Sequence, residues 1–378
     1  MNILDRYILR TFIQNYLIAF MVLVGLYVAL DMVFNFGDMT EVQSAAVAAL
    51  PTWRILYDIG DYYFYQIFVF FVQLSGMITV VAAAFTLMRL SRFNELTAIL
   101  ASGTPLLRVA APIVLAGFLL NGLLLIDEEF VIPQMIPKLI RTHEEMHLET
   151  RRSYPVWAMQ DTHNALLWAA NYTPPSPVNT GHIDVLDVIE EDAQHHPTGH
   201  LYADAADWVP AQHVWRLTNG HHVHVLQSQE YSSQPPASID TYQTDITPDE
   251  ISLWRGGEFV NLLPTYRINE LLNSGKSYVG QNALLRTKHM RWTQPLSNLV
   301  LLLLAIPTVL TRTPVYLKLA ATKCLVLCGL CMGTVFLCYQ RAASPPQAHA
   351  AQWPAFMAWV PIFIYGPLAV FLLEQVKS

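Results

Sequence analysis

The fold is decided by residues 109–126, which read Val109-Ala-Ala-Pro-Ile-Val-Leu-Ala-Gly-Phe-Leu-Leu-Asn-Gly-Leu-Leu-Leu-Ile126 and contain no charged side chain. A helix that crosses a bilayer needs roughly 20 mainly apolar residues. Five further windows lack Asp, Glu, Lys and Arg over a comparable length: residues 11–30, 62–88, 292–311, 324–340 and 342–373. The apolar part of the last window begins near Trp353, because the prolines before it disfavour a continuous helix. The sequence therefore predicts six transmembrane helices.

The composition of the 378 residues agrees with this interpretation, since 53% are hydrophobic and only 13% are charged. A typical soluble domain is about 25% charged. The first apolar window follows Arg6 and Arg10, as in a signal peptide, but it is too long for one and no small-residue cleavage site follows it. We expect it to be a retained helix.

The distribution of basic residues predicts the orientation, because short cytoplasmic loops are enriched in Lys and Arg. With the N-terminus inside, nine basic and three acidic residues lie on the inner segments. The outer side then carries 13 basic and 26 acidic residues. We therefore predict a multi-pass protein of the inner membrane with both termini in the cytoplasm and a large periplasmic domain.

That domain is expected at residues 127–287, between helices 1–3 in residues 1–126 and helices 4–6 in residues 288–378. Short β-rich runs at 165–172, 182–189, 213–218 and 222–227 predict a sandwich, barrel or jelly roll. Asn219-Gly220 between the last two runs predicts a hairpin. A helix is expected at residues 266–274, after Thr265 as N-cap.

The loop between the second and third spans, residues 89–105, carries a short predicted helix at about 91–102. Ser91 can cap it, and Gly103 with Pro105 can end it. Phe93, Leu96 and Leu100 would then share one apolar face. Such a helix at the cytoplasmic surface either inserts into a groove on a partner or lies as an amphipathic loop at the interface.

The fifth span contains every cysteine of the chain, within about 80° of one another around the helix. They are Cys324, Cys328, Cys331 and Cys338. With Gly329 and Gly333, they form a small-residue face that allows another helix to approach closely. The alternative is a metal or redox site.

Three basic residues, Arg286, Lys288 and Arg291, stand just outside the fourth span, against the positive-inside trend. They could bind anionic lipid head groups through forked hydrogen bonds, pair with the acidic domain, or anchor the helix at the interface. Arg291 lies deepest and is the strongest candidate for a phosphate contact.

Two other patterns are weak. Crowded histidines at residues 195–224 include His222 and His224, whose spacing could serve a zinc site, although a solvated strand surface explains them as well. Gly275-Lys276-Ser277 resembles the end of a P-loop, but Glu270 occupies the position of the motif's first glycine. We expect no catalytic residues, no metal and no cofactor, and no nucleic-acid binding.

Arg89-Leu-Ser-Arg-Phe-Asn-Glu-Leu96, followed by Ala101-Ser-Gly103, resembles the coupling-helix segment of the LptF/LptG permease family. These permeases are the membrane subunits of the ABC transporter that extracts lipopolysaccharide from the inner membrane. Further segments resemble the family's N-terminus, fourth span and last span: Leu4-Asp-Arg-Tyr-Ile-Leu-Arg10, His289-Met-Arg291 with Pro295, Ala305-Ile-Pro307, and Trp359-Val-Pro361. The topology is similar from end to end.

The resemblance implies an α-helical membrane protein with six transmembrane helices and an inserted β-jelly-roll-like domain. It implies a cytosolic ABC ATPase as partner, contacted by Arg92, Phe93, Glu95 and Leu96, with Glu95 facing basic residues of the ATPase. It also implies a second permease of the same family, periplasmic jelly-roll bridge proteins, and lipopolysaccharide or a similar lipid as cargo.

Two further roles follow from the same resemblance. The fifth span with its cysteines would meet the first span of the partner permease as a lateral gate. The family places a basic residue in the first span of one subunit to hold lipid phosphates, whereas this chain has Asp31 there. Asp31 joins the three basic residues outside the fourth span, Arg286, Lys288 and Arg291, as a candidate lipid-binding residue.

Two other classes of protein compete with this hypothesis. A membrane-anchored sensor or assembly scaffold would also carry an extracytoplasmic β domain, but it needs a cytoplasmic output module, and the predicted cytoplasmic segments are short. A membrane enzyme needs convergent reactive groups, and the sequence shows no such set.

Overall fold

A computed structural model describes residues 3–35, 51–140, 153–175, 180–192, 194, 196–224, 235–254, 259–274, 281–310, 317–344 and 352–377. The chain divides into two compact units. The membrane unit comprises residues 1–36, 63–135 and 282–378, and the β unit comprises residues 37–62 and 136–281. Gly275-Lys276-Ser277 and His195 lie outside the described residues.

Within the described residues, six helices are long and apolar enough to cross a membrane, as the sequence predicts. In chain order the membrane-spanning elements are α1 (Ile3–Phe34), α2 (Thr52–Arg92), α4 (Leu106–Ile126), α8 (Gln281–Val309), α9 (Leu317–Ala342) and α10 (Trp353–Lys377). A seven-residue helix, α3 (Glu95–Ala101), connects α2 to α4. The last helix begins at Trp353, where the apolar part of its window starts.

The third span does not end at Ile126, where its uncharged window ends. The helix continues through a π-helical turn, Asp127–Val131, into α5 (Ile132–Leu139). The residues after the acidic triplet are Phe130, Val131 and Ile132, so the apolar pattern resumes and the backbone remains helical.

Polar side chains fasten α2, α4 and α8 to one another inside the membrane unit. The Asn298 amide donates hydrogen bonds to Ser75 Oγ at 3.0 Å and to Asn121 Oδ1 at 3.2 Å. Gln294 donates to the Val72 carbonyl at 2.8 Å. Hydrogen bonds of this kind join helices within a bilayer, where lipid offers polar groups no alternative partner.

The β unit is an antiparallel sheet. The strands are β1 (Tyr154–Gln160), β2 (Ala165–Thr173), β3 (His182–Glu191), β4 (Pro197–Val209), β5 (Val214–Thr218), β6 (His221–His224), β7 (Ala237–Ser238) and β8 (Thr241–Tyr242). In this sheet β1 to β5 pair in chain order, while β6 pairs with β4 and β7, and β8 pairs with β5. Buried residues alternate along the strands and form one core with Trp215, Tyr172 and Leu186. Two short helices follow the sheet, α6 (Pro248–Trp254) and α7 (Thr265–Ser274), and α7 matches the predicted helix.

The predicted hairpin at Asn219-Gly220 is wrong. β5 and β6 both pair with β4, in the registers Ala205↔Thr218 and Tyr202↔His221, so the chain continues in one direction across the Asn-Gly pair. Asn219 has φ 54°, and a Cβ on Gly220 would lie 2.2 Å from the Ile239 carbonyl oxygen. The register with β4 is the same on both sides of the pair, so Asn219-Gly220 interrupts the pairing without adding a residue, and the glycine lets the segment at Ile239 approach the backbone closely.

The sheet curls so that its two edge regions meet. Asp161, in the turn after β1, accepts hydrogen bonds from Tyr242 of β8 at 3.4 Å and from Thr244 at 3.2 Å. The Trp215 indole donates to the Ile246 carbonyl at 3.1 Å, so the segment after β8 covers the inner face of the sheet. The predicted fold class, a helical membrane protein with an inserted β domain, is confirmed.

Candidate functional site

The loop that connects the second and third spans begins at a break in the helix at Asn94. Asn94 has φ 57°, a left-handed conformation that asparagine tolerates better than most residues. Ser91 was predicted to cap the short helix, but it is buried inside α2, which runs to Arg92. Helix α3 therefore starts at Glu95 rather than near residue 91, because the apolar pattern of α2 persists through Leu90.

Of the predicted common face, Leu96 and Leu100 lie together on the core side, but Phe93 does not. Phe93 precedes α3 and is 63% exposed. Leu96 is buried in the core of the membrane unit, and Leu100 packs against that core. Leu96 thus anchors the helix, while Arg92 and Phe93 are exposed beside it.

Glu95 has a partner within the chain that sequence reasoning missed. The Tyr7 hydroxyl, on α1, donates a hydrogen bond of 2.8 Å to Glu95 Oε2. Both residues lie within segments that resemble one permease family, but the resemblance does not pair them, since they are 88 residues apart. The short connecting helix and the start of the first span therefore form one structural element.

A buried charge cluster joins the third and fourth spans. Arg291, only 4% exposed, places Nη1 3.3 Å from Glu129 Oε1 and Nε 3.9 Å from Glu128 Oε2. Sequence reasoning missed both glutamates, because it ended the third span before them. A buried guanidinium requires such partners, since an uncompensated charge in a low-dielectric interior is costly.

Asp127 lies at the start of the same π-helical turn. Its side chain is buried, and neither carboxylate oxygen has a hydrogen-bond partner among the described residues. A π-turn inserts an extra residue into the helix, and such turns are frequent at functional sites.

The other two basic residues of the outer cluster are placed differently from Arg291. The Arg286 guanidinium lies over the ring of Tyr339 on α9, 4.2 Å from its centroid. Lys288 is half-buried. The three residues predicted to act together therefore have three different environments.

Asp31, near the end of α1, is held by two side chains. The Tyr63 hydroxyl donates to Asp31 Oδ2 at 2.9 Å, and the Asn35 amide donates to Oδ1 at 2.9 Å. The carboxylate thus fastens the end of the first span to the second.

The structure separates the cysteines of the fifth span from its glycines. All four cysteines are buried within the chain, and Cys331 is 1% exposed. Gly329 and Gly333 lie on the exposed side of α9, and a Cβ added to either would meet nothing within 4 Å. The open small-residue face is therefore the Gly-x-x-x-Gly pair.

Histidines of the β unit pair with carboxylates. His200 Nε2 lies 2.7 Å from Asp187 Oδ1, and His222 Nε2 lies 3.1 Å from Glu190 Oε2. His182 lies between Asp207 and Asp184, and the hydrogen bond with Asp207 raises the pKa of its imidazole above the ordinary value. Among the described residues, no three His, Cys, Asp or Glu side chains converge as metal ligands.

The described residues define a polytopic membrane protein with six spans, a β domain inserted between the third and fourth, and a short anchored helix after the second. The family model described as lipopolysaccharide export system permease LptF/LptG matches residues 6–375, nearly the whole chain. The chain belongs to this family and is a multi-pass protein of the inner membrane. No curated protein sequence matches it significantly.

Proposed function

We propose that the chain is a permease subunit of an ABC transporter that extracts lipopolysaccharide from the inner membrane and passes it to periplasmic jelly-roll bridge proteins. Family membership supports the cargo. The observation that carries the transporter assignment is α3, a short helix anchored by Leu96 with exposed residues beside it. A separate cytosolic ATPase supplies the energy, and the chain itself catalyses no reaction.

The proposed contact with the ATPase consists of Arg92, Phe93 and Glu95, with Leu96 holding the helix in place. Arginine and aromatic side chains dominate the binding energy of protein interfaces. Phe93 and Arg92 are exposed, so a groove on the ATPase can receive them. Glu95 offers a carboxylate to a basic residue of the partner.

A second permease of the same family completes the transporter in this proposal. The exposed Gly329 and Gly333 let a neighbouring helix approach the fifth span closely. By analogy with the family, that helix is the first span of the partner, and the contact is a lateral gate for lipid. The four cysteines pack α9 against the rest of this chain on the opposite face of the helix.

Of the four candidate lipid-binding residues, we favour Arg286 and Lys288. Arg291 is engaged by two glutamates and Asp31 by Tyr63 and Asn35, so these two side chains have partners within the chain. Arg286 and Lys288 remain candidates for the phosphate groups of the lipid, since a guanidinium binds phosphate through forked hydrogen bonds.

A sensor or assembly scaffold is the second candidate, favoured only by the β domain. The two candidates differ in one property, because a permease requires an ATPase and a sensor does not. Affinity purification of the chain in mild detergent, with mass spectrometry of the proteins and lipids bound to it, separates them.

The test compares wild type with Glu95→Lys, and with Glu374→Lys as a control. Both variants reverse one carboxylate charge, and in the proposed topology both lie on the cytoplasmic side. Removing one partner of a desolvated interface charge pair costs about 2–5 kcal/mol. We expect the ATPase to be recovered with wild type and Glu374→Lys, and lost with Glu95→Lys. Equal recovery with all three removes Glu95 from the contact, and no ATPase with wild type contradicts the transporter.

A further inference from the structure

The hydrogen bond between Tyr7 and Glu95 connects two parts of the chain that are 88 residues apart. Tyr7 lies in the second turn of α1, and Glu95 is the first residue of α3. Among the described residues, Tyr7 is the one side chain that donates to the Glu95 carboxylate. One carboxylate oxygen is thus held, and the other is available to a second donor.

The residues next in sequence fix this geometry. Ile8 follows Tyr7, and Leu96 follows Glu95, and both are buried in the core of the membrane unit. Tyr7 itself is 39% exposed. The hydrogen bond therefore lies at the surface beside two residues buried in the same core, which hold the two backbones in place and leave the polar pair accessible.

We propose that Tyr7 is the positioning residue of the ATPase contact. This inference rests on the proposed function. The Tyr7 hydroxyl fixes Glu95 Oε2, so that Oε1 faces a cation of the ATPase with little loss of side-chain freedom on binding. Preorganisation of this kind raises affinity without adding a contact to the partner.

The same hydrogen bond ties α3 to the first span. A displacement of α3 by the ATPase is therefore transmitted to α1 through Tyr7, in addition to the shared core in which Leu96 and Ile8 are buried. Movements of the ATPase during ATP hydrolysis would thus reach the first span at its N-terminal end, where Tyr7 lies.

Binding of the ATPase to the full chain in detergent tests the positioning role in Tyr7→Phe, Glu95→Gln and the double variant. A single hydrogen bond is worth about three- to tenfold in an equilibrium constant. We expect Tyr7→Phe to raise the Kd by about that factor, and the double variant to bind no more weakly than Glu95→Gln. Tyr202→Phe, which removes a hydroxyl from the β unit, should bind as wild type does. An unchanged Kd in Tyr7→Phe, or effects that add in the double variant, would overturn the proposal.

A measurement on the chain alone separates this inference from the proposed function. Amide hydrogen exchange of residues 95–102 should become faster in Tyr7→Phe than in wild type or Tyr202→Phe, because α3 loses a tether to α1. Unchanged exchange would overturn the inference even if the ATPase binds. If exchange is faster in Tyr7→Phe but the wild type binds no ATPase, the proposed function is contradicted. The hydrogen bond from Tyr7 would then still hold α3 to α1.

Discussion

Several single residues of this chain are charged although they are buried in the membrane unit, where a charge without a partner lowers stability. Arg291 is buried beside Glu128 and the partly buried Glu129, which follow the third span. An ionisable residue within a membrane span is rare and marks a functional or organising position. The sequence predicted Arg291 as a phosphate contact, whereas the structure shows that its guanidinium already has two carboxylate neighbours. The residue therefore has a structural role that does not require lipid.

Replacing Arg291 by Ala should destabilise the membrane unit. Removing one member of a buried ion pair leaves an uncompensated charge and costs about 3–5 kcal/mol. We expect a lower melting temperature in detergent, while Lys288→Ala, half-buried on the same helix, should melt like wild type. If Arg291→Ala keeps the wild-type melting temperature but binds less lipid, as measured by photo-crosslinking of lipid to the chain, the main role of Arg291 is the phosphate contact and not the ion pair.

A single histidine predicts a pH dependence in the β unit. The hydrogen bond to Asp207 at 2.6 Å raises the pKa of His182 above its ordinary value of 6.5. Its contribution to stability is therefore complete below pH 6.5 and is lost as the pH rises through the raised pKa. We expect His182→Gln to lower the unfolding temperature of the full chain more at pH 6 than at pH 8. Tryptophan fluorescence measures the unfolding.

His163→Gln is the control for that experiment, because the His163 side chain is 79% exposed. It should leave both unfolding temperatures close to those of wild type. The same loss at both pH values in His182→Gln would show that the imidazole acts by packing rather than by charge.

At the scale of elements, the helices are held by small residues and by a few polar side chains. Gly76 lies against Asn298, and a Cβ there would fall 2.4 Å from Asn298 Oδ1. Gly117 lies equally close to Leu302. These glycines allow α2 and α4 to approach α8, and the hydrogen bonds of Asn298 then set the register of the three helices.

The substitution Gly76→Ala should therefore loosen this contact. Overpacking of a tight interior costs about 1–3 kcal/mol. Gly25→Ala, in the first span, adds the same methyl group where nothing lies within 4 Å. We expect Gly76→Ala, but not Gly25→Ala, to lower the melting temperature. Equal melting temperatures for the two variants would show that α8 can shift to accommodate the methyl group without loss of stability.

The two faces of the fifth span predict two different phenotypes. Cys331→Phe places a large ring in the buried face and should reduce the stability and abundance of the chain. Gly333→Leu alters the open face and should leave abundance unchanged while weakening association with a second permease. Quantitative blotting and co-purification with the partner measure the two effects. If Gly333→Leu pairs and transports normally, that face contacts lipid only.

At the scale of the whole molecule, the sequence predicted what depends on long uncharged windows and missed what depends on contacts. Six spans follow from the cost of burying charge in a bilayer, which acts on every residue of each window. The start of α3 at Glu95 depends on Asn94 adopting φ 57°, and Ser91 looked equally suitable. The Asn219-Gly220 pair fits an interruption within one strand direction as well as a hairpin, and only the pairing with β4 decides.

The candidate site shows the same division. Glu95 was found from a local motif, but Tyr7 joins it across 88 residues of sequence. Arg291 was found from its position against the positive-inside trend, but its partners lie on another span. Cysteines and glycines were grouped by their small size, and only helix packing reveals that one set is buried and the other exposed.

The most direct test of the account is ATP-dependent release of lipopolysaccharide from proteoliposomes that contain this chain, its partner permease and the ATPase. A soluble jelly-roll bridge protein serves as acceptor, and the lipid bound to it is measured with and without ATP. We expect ATP-dependent transfer with wild type and with Glu374→Lys, and no transfer with Glu95→Lys. ATP hydrolysis by the assembled wild-type complex with no lipid reaching the acceptor would contradict the proposed function.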